Sequence, residues 1–146
     1  MSRVLVVNGP NLNLLGKREP EIYGTQTLDE MNEHLTSMAS ELKLEVRFFQ
    51  SNSEGKIIDF IQTEAPQAVG MIINPGALTH YSYALADAIT AVDIETIEVH
   101  MSNIYAREEF RHKSVIAPIA SGHLVGFGFY GYAMALSYFA DMNKTD

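Results

Sequence analysis

Val4-Leu5-Val6-Val7-Asn8-Gly9-Pro10 decides the architecture. Four consecutive apolar residues run straight into a turn signal. A half-buried strand alternates polar and apolar residues; this run does not, so it reads as a strand covered on both faces, the mark of a parallel sheet. A further strand is read at residues 44–49, which end in Gln50-Ser51-Asn52, and another at 69–73, which end in Asn74-Pro75-Gly76. Residues 96–99 end in His100-Met101-Ser102-Asn103, and a fifth run, 115–119, ends near Ser121-Gly122. Helical patterns lie between the runs. Thr27-Leu28-Asp29-Glu30 is a capping box, followed by Leu28, Met31, Leu35, Met38 and Leu42 at helical spacing. Ile57, Ile58 and Ile61 mark a short helix stopped near Pro66; residues 78–92 and 128–139 are the remaining helices. Strands joined by helical crossovers predict a doubly wound α/β fold with the flavodoxin-like strand order 2-1-3-4-5 and helices on both faces. Residues 9–26 form the one long irregular stretch, of a length that suits a lid.

The 146 residues, 47% apolar and 19% charged, fit a single globular domain spanning 1–146. Absence of cysteine removes disulfides, thiolate zinc sites, iron–sulfur clusters and a cysteine nucleophile. It also fits a cytoplasmic protein, as does an N-terminal apolar run too short for a leader. The formal charge of −8 repels phosphate backbones and anionic lipid, so no nucleic acid or membrane partner is expected. Residues 114–140 lack Asp, Glu, Lys and Arg, but Pro118, Gly122, Gly126, Gly128 and Gly131 interrupt them. They read as a buried strand, a turn and a buried helix, not a membrane span.

Ligands of open α/β sheets bind beyond the carboxyl ends of the strands. Those ends carry Asn8 and Asn11, Gln50 and Asn52, Asn74, then His100 and Ser102. Asn and Ser also belong in turns, but His100 and the nearby arginines are not turn formers. Arg18 and Tyr23 share the first loop. They are either solvated, or a guanidinium beside a phenol favours the phenolate and creates a general base. Such a base suits removal of a proton alpha to a carbonyl. Glu98 and His100 lie two apart on a strand and so share a face. They are either a structural pair, or a carboxylate that orients an imidazole serving as a general acid. Arg107 and Arg111 either pair with Glu108 and Glu109 or line a pocket for a carboxylate or a hydroxyl-rich ligand. His80 stands where the third helix is expected to begin, a position that welcomes an anion. The first loop misses the phosphate-loop spacing, and the five histidines show no zincin-like spacing, so neither a nucleotide at this loop nor a metal is expected. A non-catalytic small-anion-binding module on the same fold is the competing reading.

The ordered motifs are specific as a set. Asn8-Gly9-Pro10-Asn11-Leu12-Asn13-Leu14-Leu15-Gly16, Arg18-Glu19-Pro20, Tyr23-Gly24, Gln50-Ser51-Asn52 and Ile73-Asn74-Pro75-Gly76-Ala77 lead the series. Thr79-His80-Tyr81-Ser82, Glu98-Val99-His100, Ser102-Asn103, Arg107-Glu108-Glu109-Phe110-Arg111 and Gly126-Phe127-Gly128 continue it. Together they resemble the type II 3-dehydroquinate dehydratases (type II dehydroquinases) over about residues 4–136. Ser53, Met101 and the pair His123-Leu124 depart from the usual family pattern.

The resemblance implies dehydration of 3-dehydroquinate to 3-dehydroshikimate through an enolate, without metal or organic cofactor, in a dodecamer built from trimers. By position, Tyr23 would be the base and Arg18 would stabilise its phenolate. His100 would protonate the leaving hydroxyl, with Glu98 orienting it, and Asn11 would help hold a water at the enolate oxygen. Ser102 and the Met101 backbone N–H would bind the substrate carboxylate. Asn74, His80 and Arg111 would hold its hydroxyls, Arg107 would order the lid, and Asp87 would reach in from a neighbouring subunit.

Overall fold

A computed structural model describes residues 1–144. Five strands, β1 (Ser2–Asn8), β2 (Leu44–Gln50), β3 (Gly70–Asn74), β4 (Thr96–His100) and β5 (Gly122–Val125), form one sheet in the order β2-β1-β3-β4-β5. Every pairing is parallel. Crossovers run through α2 (Leu28–Glu41), α3 (Glu54–Glu64) and α4 (Tyr83–Val92); α5 (Tyr130–Met142) follows the last strand, and a one-turn helix, α1 (Pro20–Tyr23), lies in the first loop. The doubly wound architecture and strand order are those expected.

The unbroken apolar run of β1 is explained by the two cores. Val4 and Val6 face α2 and α5, where they meet Met31, Leu35, Leu136 and Phe139. Leu5 and Val7 face α3 and α4, where they meet Ile57, Ile61, Leu85 and Ile89. Consecutive strand side chains alternate faces, so a sheet covered twice needs both apolar. At Gly70 the sheet lets α5 come close: an added Cβ would stand 2.2 Å from the Phe139 ring. The capping box forms as read, with the Thr27 hydroxyl accepting from the Glu30 N–H at 3.1 Å and the Glu30 carboxylate accepting from the Thr27 N–H at 3.2 Å.

Three elements differ from the sequence expectation. The fifth strand is Gly122–Val125, not residues 115–119. Pro118 has no N–H to give a ladder, and the Ser114 hydroxyl accepts from the N–H groups of Ile116 and Ala117, turning that run into a loop with a 3-10 turn at Ala117–Ile119. Apolar Ile116 is fully buried, but against the α3 and α4 core. The expected helix over 78–92 is split into a 3-10 turn at Gly76–His80 and α4, because the Ser82 side chain caps α4 by accepting from the Leu85 N–H. The last helix is shifted along the chain, to Tyr130–Met142 rather than 128–139.

Residues 9–26 are more ordered than their composition suggests. Leu12 and Leu15 plug into the α2 and α5 core, and Pro20 opens α1. Gly9 is pressed against β3: its N–H donates to the Asn74 carbonyl at 2.8 Å, and an added Cβ would meet the Pro75 carbonyl oxygen at 2.4 Å. The crevice therefore opens where the strand order reverses, between the ends of β1 and β3, with β4 beside it. Among the described residues no helix is long and apolar enough to cross a membrane.

Candidate active site

Asn11, Arg18, Tyr23, Asn74, His80, His100, Met101, Ser102, Arg107 and Arg111 line one crevice at this switch point. Nearly every residue singled out in the sequence converges there from separate loops. Its free volume is about 40 Å³, little more than one water requires. Arg18 and Tyr23 fold down over it.

Tyr23, carried by α1, is half buried. Its hydroxyl oxygen accepts from Arg107 Nη1 at 2.7 Å and from Arg18 Nη2 at 3.2 Å. The Arg18 guanidinium also covers the Tyr23 ring, 4.6 Å from its centroid. Two cationic donors thus converge on one phenol oxygen. Arg107, to which the resemblance assigns the ordering of the lid, is the nearer of the two. It also donates to the Ser102 hydroxyl at 3.3 Å, tying Tyr23 to the end of β4.

Across the crevice, Glu98 is fully buried and His100 nearly so. His100 Nε2 hydrogen-bonds the Glu98 carboxylate, which also accepts from the Thr79 hydroxyl. The Ser114 hydroxyl donates to Glu98 Oε1 at 2.8 Å. Burial works against the Glu98 charge, but hydrogen bonds from His100 and Thr79, with the positive charge on His100, more than offset it and hold the carboxyl below its ordinary range. With Nε2 engaged by Glu98, Nδ1 of His100 is left for a ligand.

His80 Nδ1 lies 2.8 Å from the Lys113 carbonyl. A carbonyl only accepts, so Nδ1 carries the proton and Nε2 is an acceptor. Burial pushes the His80 imidazole below its ordinary range, helped by positive charge on His100 and Arg111 and opposed by the Lys113 carbonyl. At the crevice floor, the buried Tyr132 hydroxyl donates to Asn8 Oδ1 at 2.6 Å and accepts from Asn74 Nδ2 at 2.9 Å. Asn74 Oδ1 accepts from the Gly76 N–H at 3.1 Å. Burial pushes the Tyr132 phenol far above its ordinary range, against the Asn74 hydrogen bond, so it is a neutral structural hydroxyl.

Asn11, with φ of 72°, is held by its N–H on Asn52 Oδ1 at 2.9 Å. The Met101 side chain is buried in the core. Asp87 is exposed on α4 and does not line this chain's own crevice. Thr79, Ser114, Tyr132 and His123 were not singled out for their places here. Thr79 stands within a quoted motif, whereas Ser114 and Tyr132 carry no local signal. Glu98, His100 and His123 bring metal-capable atoms together, a grouping that no sequence spacing displays.

Comparisons with known proteins give the family. The family model described as dehydroquinase class II matches residues 2–140. The chain belongs to the class II dehydroquinase family. As a class II dehydroquinase it is 54% identical to the 3-dehydroquinate dehydratase of Bacillus licheniformis, over 99% of each chain. It is 57% identical to that of Pelotomaculum thermopropionicum, over 98% of this chain and 99% of the relative. The crystal structure of type II dehydroquinase from Propionibacterium acnes superposes with a TM-score of 0.93 at 45% identity, covering 97% of each chain. The fold and crevice described above are thus read within the class II dehydroquinase family.

Proposed function

We propose that this chain dehydrates 3-dehydroquinate to 3-dehydroshikimate by anti elimination. The observation that carries the reading is the Tyr23 hydroxyl held by Arg18 and Arg107 across the crevice from the Glu98–His100 pair. The Tyr23 phenolate takes a proton from the carbon next to the ketone, and the electron pair of the C–H bond moves onto the carbonyl oxygen as an enolate. The enolate then collapses to a carbon–carbon double bond. The C–O bond breaks, and the departing hydroxyl takes a proton from Nδ1 of protonated His100 to leave as water. Glu98 orients the imidazole and stabilises its charge.

Asn11 helps hold a water at the enolate oxygen. The substrate carboxylate sits at Ser102 and the Met101 N–H, and its hydroxyls at Asn74, His80 and Arg111. An acidic protein needs such a local cluster of cations to capture an anion. Because about 40 Å³ cannot hold this substrate, the loop bearing Arg18 and Tyr23 opens for entry and closes for chemistry. The proposed chemistry needs no metal or organic cofactor. Tyr83 and Asp87, four apart on α4, are both exposed on one face of the helix. In a dodecamer of trimers that face would carry Asp87 to the neighbour's crevice. The cysteine-free composition suits a reducing cytoplasm.

The test follows ultraviolet absorbance of the conjugated enone formed from 3-dehydroquinate. Absorbance that grows with the intact chain and not with Tyr23→Phe supports the reading. Substrate binding without enone formation restores the anion-binding alternative.

A further inference from the structure

His123 stands beside the Glu98–His100 pair, and the reaction does not use it. Its Nε2 is buried with no hydrogen-bond partner among the described residues, and it stands 3.6 Å from Glu98 Oε2. The sheet places it there. Glu98 and His100 leave the same face of β4, and the parallel register pairs Glu98 with His123 of β5. The His123 and His100 rings meet edge to face at 5.6 Å between centroids. One ligand atom from each of Glu98, His100 and His123 lies within 4.8 Å of the others.

We propose that Glu98, His100 and His123 form an inhibitory site for a divalent cation of the zinc class. Two imidazoles and a carboxylate are a zinc donor set, whereas magnesium and calcium prefer oxygen alone. Ligand atoms around a tetrahedral zinc ion stand about 3.3 Å apart, close to the existing 3.6 Å between His123 and Glu98. His100, in direct contact with Glu98, must draw back for the ion to replace the proton they share. β5 is an edge strand and the His123 side chain is 19% exposed, so the cluster is reached from the sheet's edge. An ion at His100 Nε2 leaves a neutral-type N–H at Nδ1, a far poorer proton donor than an imidazolium. Hydroxide departure then stalls. The inhibition rests on His100 as the acid; the binding does not.

The test adds zinc chloride to the intact protein during turnover, and separately cobalt(II) as a spectroscopic probe. Zinc is expected to inhibit reversibly, with activity restored by a chelator, and cobalt to give visible bands of a nitrogen–oxygen site. His123→Val, or His123→Gln should the first variant fold poorly, removes a ligand outside the reaction. It is expected to weaken both effects by at least about tenfold while metal-free turnover persists. Zinc inhibition unchanged in a folded His123 variant, or no cobalt bands in the parent protein, overturns the site. Cobalt binding that requires His123 while zinc leaves turnover intact upholds the metal site and counts against His100 as the proton donor.

Discussion

Arg107 stands closer to the Tyr23 hydroxyl than Arg18 does, at 2.7 Å against 3.2 Å, although it lies 84 residues away in sequence. Arg18 belongs to the same loop as Tyr23, five residues before it. Arg107 belongs to the body of the protein and is anchored beside Ser102. The oxygen is therefore complete in its charge environment only when the loop meets the body.

Tyr23→Phe is expected to lower kcat by about 10²–10⁴ while leaving affinity for a competitive ligand within a few-fold. Arg18→Lys and Arg107→Lys should each cost turnover as well, because a point charge does not reproduce the guanidinium's directed donors. Steady-state kinetics with ligand titration checks all three. Full turnover in Tyr23→Phe would remove Tyr23 as the base.

His100→Ala is expected to lower kcat by about 10²–10⁴, with the loss reduced for a substrate analogue bearing a better leaving group. An unchanged rate with the natural leaving group would remove His100 as the acid.

Glu98 also couples the site to pH. Its folded carboxyl titrates below its ordinary value, so the folded state holds its proton less tightly than the unfolded chain does. The stabilisation is present above the unfolded value and is lost as pH falls through the folded one. Melting temperature should therefore drop in that acidic window, and the Glu98 share of the drop should vanish in Glu98→Gln. Thermal melts at stepped pH, compared between the two proteins, measure it. Parallel curves would mean that Glu98 contributes nothing to acid sensitivity.

Tyr132→Phe leaves Asn8 Oδ1 and Asn74 Nδ2 buried without their shared partner. A loss of about 1–3 kcal/mol in denaturant unfolding is expected. Because Asn74 also lines the crevice, KM should rise more than kcat falls. Equal stability of the two proteins would show that the hydroxyl is not needed.

Gly70→Ala drives a Cβ into the Phe139 ring, with only 2.2 Å available. Overpacking of about 1–3 kcal/mol is expected, seen as a lower melting temperature with little change in kcat of the folded protein.

The parallel sheet was legible because β1 and β3, at its centre, are buried on both faces and carry that fact in uninterrupted apolar runs. β5 was not, since its half-exposed Gly-His-Leu-Val is a weaker signal than the apolar run before it. That run, broken by Pro118, is buried at Ile116 without being a strand. In the site, Glu98 and His100 were readable as neighbours because strand geometry fixes residues two apart. Arg107 against Tyr23, and His123 against Glu98, depend on chain crossings and strand register, which spacing along the sequence does not encode. Thr79 and Ser114 were hidden for a related reason: small hydroxyls are common in turns, and only the buried carboxylate between them gives them a task.

The Asn8–Tyr132–Asn74 clasp has a consequence for biosynthesis. A ribosome delivers β1 and β3 long before α5, yet the hydroxyl joining their ends belongs to α5. A nascent chain stopped short of Tyr132 can pair its central strands, but their polar tips remain unlocked. Competence is thus withheld until α5 has emerged, when it docks on the sheet and closes the circuit.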